Sequence, residues 1–232
     1  MPQRTLTPPS RFNTAREAFA PLDFVTNAVR PVPKRSVPQG DGRPVILAPG
    51  FLSNELSMRG LRNYLQDIGY NAYGWEIGFN DGRVRLLMDK LTEQVKQKAR
   101  ILGRPVTLIG WSLGGVIARE VARRDPMRVN EIITLGSPIV GGPKYTSIAP
   151  VYARLYGVDL DAIERESRAL SAEGLTQPVT SIYSKSDGIV SWRASVDTFN
   201  PQARNIEVGG GHFGLGNNRK VWRIIAETLG RS

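Results

Sequence analysis

The stretch Val106–Gly115 constrains the fold of this chain more than any other part of the sequence. It begins with a run of apolar and β-branched residues at Val106–Ile109, which is typical of a strand buried on both faces. It continues as Gly110-Trp111-Ser112-Leu113-Gly114 and then becomes an apolar, helix-forming segment. Strand, G-x-S-x-G and helix in that order predict a nucleophile elbow with Ser112 at its tip.

The residue types at this turn match the geometry of an elbow. The turn is so tight that side chains at Gly110 and Gly114 would collide with neighbouring elements, which glycine avoids. An elbow holds the Ser112 hydroxyl clear of the sheet, and the N–H groups of the following helix end can stabilise a developing negative charge. The pattern alone also fits an ordinary glycine-containing turn, so its interpretation depends on the rest of the chain.

Composition narrows the class of protein. The chain has 232 residues, of which 41% are hydrophobic, enough for one α/β domain with a sizeable core. We find no membrane-spanning run and no signal sequence, so we expect a cytoplasmic protein, with a secreted mature form as the alternative. The lack of cysteine excludes disulfides, and the single histidine excludes a multi-histidine metal site. We therefore expect no metal and no cofactor.

The formal net charge of +10 bears on the partners of the protein. Such a charge favours peripheral contact with an anionic membrane surface, and the alternative is a solvated basic surface that keeps the protein dispersed. The basic residues are spread along the chain without a nucleic-acid-binding motif, so we expect no nucleic-acid partner. The oligomeric state stays open.

Strand and helix patterns alternate over residues 43–232 and predict one α/β domain. The expected strands are 44–49, 71–77, 106–109, 131–136, 178–183 and 205–208, and the expected helices are 54–68, 87–99, 115–124 and 221–229. This alternation predicts a mostly parallel central sheet with helices on both faces. The proline-rich residues 1–42 are expected to form an N-terminal arm with a short helix near 14–19.

Residues 139–176 interrupt the alternation and predict a small helical cap. Two helices are expected there, at 148–156 and 160–170. Their apolar stripes contain Ile148, Val151, Tyr152 and Leu155 in the first helix and Ala162, Ile163, Ala169 and Leu170 in the second. Stripes that face a pocket would shield it from water, and the alternative is that they pack permanently on the core.

Three chemically active residues follow the expected strands. Ser112 follows the elbow strand, Asp187 follows the strand at 178–183, and His212 follows the last strand. Because the carboxyl ends of parallel strands meet at one edge of the sheet, we expect these side chains to lie close together. Histidine can take the serine proton, and aspartate can orient the imidazole. Taken singly, His212 and Asp187 also fit ordinary loop and turn positions, but the three together favour a Ser–Asp–His triad.

The choice of acid rests on position. No acidic residue comes directly after Gly136, which is the other place where a strand end could supply one. This favours Asp187 over the acidic residues Asp159, Asp161 and Asp197.

With these motifs the chain resembles the α/β-hydrolase family, and within it the bacterial serine lipases and carboxylesterases. The resemblance runs from about Pro44 to Leu229 and rests on Pro49-Gly50-Phe51, Gly110–Gly115, Leu135–Pro138, Ser186–Val190 and Gly211–Leu215. It implies an α/β-hydrolase fold with a cap at 139–176.

The resemblance also implies roles for individual residues. Ser112 corresponds to the nucleophile, Asp187 to the acid and His212 to the base, and the backbone N–H groups of Phe51 and Leu113 correspond to the oxyanion hole. The chain departs from the family at Pro49 and Trp111, where such lipases often carry histidine. Neither departure removes a catalytic group.

We therefore expect a serine hydrolase that cleaves small-molecule or lipid carboxylic esters, as lipases and esterases do, through an acyl-enzyme. The expected apolar acyl pocket is lined by Phe51, Leu113, Ile139, Val140, Ile189 and Phe213. One alternative is a polyester depolymerase, thioesterase or acyltransferase with the same triad. A second alternative is a non-catalytic module that binds a membrane surface or a partner on a hydrolase fold.

Overall fold

A six-stranded sheet forms the centre of the computed structural model, which describes residues 6–17 and 36–231. The strand order is β2-β1-β3-β4-β5-β6, and every neighbouring pair is parallel. The strands are β1 (Pro44–Ala48), β2 (Asn71–Gly74), β3 (Val106–Trp111), β4 (Val129–Leu135), β5 (Val179–Tyr183) and β6 (Arg204–Glu207). The prediction of a mostly parallel sheet is confirmed.

Most helices lie between strands along the chain, and a helix precedes the first strand and another follows the last. They are α1 (Arg11–Glu17), α2 (Arg59–Asp67), α3 (Val84–Leu102), α4 (Leu113–Arg124), α5 (Ala149–Tyr156), α6 (Leu160–Ala172), α7 (Trp192–Ser195) and α8 (Arg219–Leu229). Short 3₁₀ turns lie at Glu55–Met58, Gly142–Tyr145 and Leu215–Asn217. Within residues 6–17 and 36–231, none of the helices combines the length and the apolar character that a bilayer span requires.

Successive residues of strand β1 enter cores on opposite faces of the sheet. In β1, Val45 and Leu47 join the core that is covered by α2 and α8, through residues such as Leu65 and Ile225. Ile46 and Ala48 join the core covered by α3 and α4. This two-residue alternation is the pleat of a strand buried on both faces, and it confirms that helices cover both sides of the sheet.

Several element boundaries differ from the sequence prediction. β2 ends at Gly74 rather than at residue 77, because Glu76 and Gly78 have positive φ angles of 51° and 94° that turn the chain out of the extended conformation. The helix expected near residues 14–19 begins at Arg11 and is described as far as Glu17, so the prediction for residues 18 and 19 falls outside the described residues. Helix α7 was not predicted, because four residues carry too little periodicity.

Candidate active site

Ser112 stands at the sharp turn between β3 and α4. Its φ and ψ angles are 54° and −122°, a backbone conformation that residues other than glycine rarely adopt. The Ser112 N–H donates to the Leu135 carbonyl at 2.8 Å, which ties the turn to the end of β4. A Cβ atom at Gly110 or Gly114 would collide with backbone of Gly115 or Ala48, respectively. The fold therefore requires glycine on both sides of the strained serine.

Asp187 and His212 meet at the same edge of the sheet. Asp187 Oδ2 lies 2.7 Å from His212 Nδ1, and both side chains are buried. The other carboxylate oxygen, Oδ1, accepts the backbone N–H groups of Ile189 at 2.9 Å and Val190 at 2.7 Å. These bonds fix the carboxylate in one orientation, so that Oδ2 faces the imidazole and Nε2 is the ring nitrogen left to exchange a proton.

The surroundings of His212 shift its pKa. Burial lowers the pKa of the imidazole, but the charge of Asp187, the hydrogen bond to Asp187 and the charge of Glu17 together outweigh burial and raise it above the ordinary value of 6.5. A raised pKa means that the imidazole is protonated more readily in this site than it would be in water. Such a cation forms whenever the imidazole takes a proton from a hydroxyl group.

The Asp187–His212 pair lies beside the elbow. A Cβ atom at Gly136 would lie 2.9 Å from Asp187 Oδ2 and 3.2 Å from His212 Nδ1, and Gly136 directly follows the residue that accepts the Ser112 N–H. The ring of His212 lies 5.9 Å from the ring of Trp111, centroid to centroid. The structure thus brings all three side chains that the sequence pointed to into one region.

The loop after β1 approaches Ser112 from the other side. A Cβ atom at Gly50 would lie 3.2 Å from Ser112 Cβ, so the backbone passes directly over the serine. Among the described residues, the N–H groups of Phe51 and Leu113 have no hydrogen-bond acceptor. The fully buried Asn80 holds this loop in place. Its side-chain amide donates to the Pro49 carbonyl at 2.9 Å, and its backbone carbonyl accepts the Leu52 N–H at 2.8 Å. Two free N–H groups next to a strained serine are what an oxyanion hole needs.

A cavity of about 1050 Å³ adjoins Ser112 and Leu113. Its wall is mostly apolar and comes from the loop after β1, from α3 and α4, and from the helices of the segment 139–176; it includes Phe51, Met88, Val116, Ile148, Ile163 and Leu170. This volume is at the upper end of the range for small-molecule sites. An alkyl chain could be buried there beside the serine hydroxyl.

The arginines at the cavity wall all have acidic partners. The ion pairs, with their nitrogen–oxygen distances, are Arg83–Asp81 at 2.5 Å, Arg85–Glu166 at 3.9 Å, Arg123–Glu120 at 3.3 Å and Arg124–Asp89 at 2.7 Å. Because each positive charge is balanced nearby, the wall favours a neutral, apolar ligand over an anionic one.

Only half of the apolar stripe predicted for the first cap helix faces the cavity. Ile148, Tyr152 and Tyr156 line the cavity, whereas Val151 and Leu155 are each 60% exposed. The ring of Tyr152 packs edge-on against Phe51 with 5.6 Å between centroids, and its hydroxyl donates to the Gly82 carbonyl. The tyrosine rings therefore carry the contacts with the body of the domain, and the prediction that Val151 and Leu155 belong to the buried stripe is wrong.

Helix α6 contributes only part of its predicted stripe. Ile163 and Leu170 line the cavity, whereas Ala162 and Ala169 are exposed. The helix is tied to the preceding turn by Glu164, which accepts the Tyr145 hydroxyl at 2.6 Å and pairs with Lys144 at 2.7 Å. These contacts lower the pKa of Glu164 to about 2 against the opposing effect of burial.

Four of the residues expected to line the acyl pocket lie elsewhere. In the part of the chain that the structure describes, the cavity wall contains Phe51 and Leu113 but not Ile139, Val140, Ile189 or Phe213. Ile139 and Val140 are buried, and the carbonyl of Ile139 accepts the Ser171 hydroxyl of α6. Phe213 is 47% exposed beside His212. Sequence position next to a catalytic candidate does not fix the direction of a side chain.

Two groups of residues at this site were not found from the sequence. The cavity-lining Met88 and Val116 lie on helices whose apolar stripes indicated only core packing. Glu17 accepts backbone N–H groups from the loops that carry Asp187 and His212, although it lies in the proline-rich arm, 195 residues before His212. No local pattern marks such a contact.

The fold and the arrangement around Ser112 define an α/β-hydrolase. Residues 44–186, more than half of the chain, match the family model of palmitoyl protein thioesterases. The chain belongs to that family.

A short stretch of the chain is similar in sequence to one curated protein. A stretch of 49 residues is 47% identical to the biotin biosynthesis bifunctional protein BioHC of Teredinibacter turnerae, and it covers 21% of this chain and 9% of that protein. The chain thus matches only a small part of this curated relative.

Solved lipase structures superpose on most of the chain. Aspergillus fumigatus lipase B has a TM-score of 0.62 at 17% identity, over 82% of this chain and 54% of its own. Mature Bacillus licheniformis lipase BlEst2 has a TM-score of 0.60 at 16% identity, over 87% of this chain and 94% of its own. A structure described as the metagenome-derived lipolytic enzymes LipS and LipT has a TM-score of 0.65 at 14% identity, over 84% of this chain and 96% of its own. At these identities the similarity establishes the fold.

Proposed function

We propose that the protein is a serine hydrolase that cleaves carboxylic esters of apolar acyl chains through an acyl-enzyme. Ser112 is the nucleophile, His212 the general base and acid, and Asp187 the residue that orients His212. The observation that carries this proposal is the 2.7 Å contact between the buried Asp187 Oδ2 and His212 Nδ1 beside the strained Ser112. Membership of a thioesterase family and the lipase-like fold support it.

The chemistry follows from these positions. Ser112 Oγ attacks the substrate carbonyl carbon while His212 Nε2 takes the hydroxyl proton, and the oxyanion that forms is bound by the N–H groups of Phe51 and Leu113. Collapse of the tetrahedral intermediate breaks the bond to the leaving alkoxide, which receives the proton from the imidazolium. Water then attacks the acyl-enzyme by the same proton route, releases the carboxylic acid and restores Ser112.

The cavity indicates the class of acyl group. Its mostly apolar wall and balanced charges suit a medium or long alkyl chain, because every methylene removed from water contributes about 0.8 kcal/mol to binding. Helices α5 and α6 form the cap of this pocket, and the contacts of Tyr152 in α5 with Phe51 and Gly82 help to exclude water from the acyl-enzyme.

A thioester is the second candidate substrate, and the family match favours it specifically. The attack on a thioester carbonyl uses the same serine, base and oxyanion hole. The leaving thiolate is more stable than an alkoxide, because thiol pKa values are about 8.5. Its departure therefore depends less on protonation by His212. The hydrolysis of oxygen esters and that of thioesters therefore differ in how strongly they depend on proton donation by the imidazolium.

The partner surface that we propose is an anionic membrane. The outer face of α5 presents Val151 and Leu155 to solvent, each 60% exposed, with the exposed Arg154 between them. The formal net charge of the chain is +10. Exposed apolar side chains next to basic ones bind anionic lipid surfaces by partial burial and charge attraction. Sedimentation with anionic vesicles at low salt, but neither with neutral vesicles nor at high salt, is the expected result.

One set of assays tests the catalytic proposal. Nitrophenyl esters from acetate to palmitate, and the matching acyl thioesters, are compared on the wild type and on Ser112→Ala. We expect the highest kcat/KM on medium or long chains and no turnover by Ser112→Ala, with an unchanged melting temperature, because the hydroxyl contributes little to packing. Turnover that persists in Ser112→Ala, or its absence on every substrate, would overturn the proposal.

A further inference from the structure

The N-terminal segment lies against the two loops that carry Asp187 and His212. The side-chain amide of Asn13 donates to the Lys185 carbonyl at 3.1 Å, and the Thr14 hydroxyl donates to the Gly188 carbonyl at 2.8 Å. Both acceptors belong to the loop after β5. Helix α1 is thus held at the candidate active site by contacts with backbone more than 170 residues further along the chain.

Glu17, at the end of α1, connects this loop with the loop after β6. Its Oε1 atom accepts the N–H of Gly188 at 2.9 Å and the N–H of His212 at 2.5 Å, and its Oε2 atom accepts the N–H of Phe213 at 3.3 Å. Gly188 directly follows Asp187. The side chain is buried, with the residue only 7% exposed. One carboxylate therefore joins the backbones of both loops in a region with little water.

Two glycines leave room for this contact. A Cβ atom at Gly188 would collide with the Asn13 carbonyl oxygen and lie 2.7 Å from Glu17 Cγ. A Cβ atom at Gly211 would lie 2.8 Å from Glu17 Oε1. Neither glycine has a positive φ angle, so close approach of the N-terminal segment is the reason for glycine at both positions. The residues next to Asp187 and His212 thus fit the presence of Glu17.

We propose that Glu17 is a positioning residue of the active site, which fixes the Asp187 and His212 loops relative to each other and places a negative charge beside the imidazole. The inference rests on the proposed roles of Asp187 and His212. It makes the N-terminal segment part of the active site rather than an arm that only wraps the domain.

The charge and the bridging bonds of Glu17 can be separated. Among residues 6–17 and 36–231, the charged groups that act on the imidazole of His212 are Asp187 and Glu17, and both favour the imidazolium. In Glu17→Gln the amide oxygen replaces Oε1 and keeps the acceptor for Gly188 and His212, while the charge is lost and the Phe213 N–H loses its acceptor at Oε2. In Glu17→Ala the charge and all the bridging bonds are lost. Glu17→Gln therefore reports mainly on the charge, and the difference between Glu17→Ala and Glu17→Gln reports on the bridging bonds.

The direct measurement is an NMR titration of His212, whose signals are unambiguous because it is the only histidine in the chain. We expect Glu17→Gln to lower the pKa of His212 with little change in melting temperature. The acid limb of the kcat/KM profile should move to lower pH with it. The titration needs no turnover, so a failure of the proposed ester hydrolysis would be distinguishable from a failure of this inference.

The positioning role is tested by kinetics at a pH where His212 is neutral. We expect Glu17→Ala to lower kcat/KM about tenfold or more, since hydrogen bonds to a charged acceptor are lost at both loops. Glu17→Asp, which keeps the charge but is one methylene too short to span the loops, should show a similar loss and serves if the alanine variant does not fold. Glu93→Gln, an exposed carboxylate paired with Lys96 on α3, is the matched control.

The outcomes that contradict the inference are specific. An unchanged His212 pKa in Glu17→Gln would overturn the electrostatic role. Folded Glu17→Ala and Glu17→Asp proteins that keep wild-type kcat/KM, even with a lower melting temperature, would overturn the positioning role and leave only a structural contact.

Discussion

Arg119 Nη1 lies 2.7 Å from Asp197 Oδ2, and both side chains are buried between α4 and the segment before β6. Asp197 also accepts the backbone N–H of Asn200 and its side-chain amide. Burial raises the pKa of Asp197, but the charge of Arg119 and the hydrogen bonds from Asn200 hold it below its ordinary value. This aspartate is committed to an ion pair, whereas Asp187 is hydrogen-bonded to the imidazole of His212.

The two aspartates should respond to substitution in opposite ways. Asp197→Asn leaves the buried charge of Arg119 without its partner, so we expect a loss of about 3–5 kcal/mol in the free energy of unfolding. The reactivity of the folded fraction should be unchanged. Urea denaturation combined with the rate of serine labelling measures both quantities.

Asp187→Asn should leave the protein folded and nearly inactive. An asparagine amide would donate to His212 Nδ1 and stabilise the wrong imidazole tautomer, so kcat should fall on the order of 10⁴-fold. The Oδ1 position still accepts the N–H groups of Ile189 and Val190. Steady-state kinetics and circular dichroism of this variant, beside Asp197→Asn, check the assignment, and near-wild-type turnover would mean that another group orients His212.

Activity should rise with pH through the pKa of His212. Only the neutral imidazole can take the Ser112 proton, and the folded protein raises the pKa above the ordinary value of 6.5. We therefore expect the midpoint of the acid limb of kcat/KM to lie above 6.5 and to coincide with the NMR titration of the single histidine. A midpoint clearly below 6.5, with chemistry rate-limiting, would contradict the electrostatics described here.

The cavity-facing side of α6 should determine the preferred chain length. Leu170→Trp replaces a side chain of the cavity wall with a bulky indole ring. Ala169→Trp places the same indole ring on the exposed side of the same helix. We expect only Leu170→Trp to shift the preference to shorter esters, with a loss of about 0.8 kcal/mol, or about fourfold in kcat/KM, for each excluded methylene. An equal effect of both variants on all chain lengths would show that the cavity does not hold the acyl group.

The sequence was most informative where local pattern and fold rules agree. The apolar run that precedes Ser112 predicted a buried strand. Because the carboxyl ends of parallel strands meet at one edge of the sheet, Asp187 and His212, each after its own strand, were expected at the same edge as Ser112. The structure places these side chains there. The roles of the three residues stay predictions.

The sequence was least informative where contacts depend on what covers an element. Ile148 and Tyr152 fit the same helical stripe as Val151 and Leu155, and the half that faces the cavity becomes apparent only from tertiary contacts such as that of Tyr152 with Phe51. Glu17 has no periodic pattern, because its partners are three backbone N–H groups from the distant end of the chain. Such contacts arise from the tertiary fold alone.

Labelling with a fluorophosphonate, followed by peptide mass mapping, tests the central claim most directly. The probe reacts with a serine only where a base removes the hydroxyl proton and N–H groups stabilise the phosphoryl oxygen. We predict one adduct, on Ser112, which disappears in Ser112→Ala and forms far more slowly in Asp187→Asn. An unlabelled wild-type protein, or an adduct on a different serine, would contradict the account.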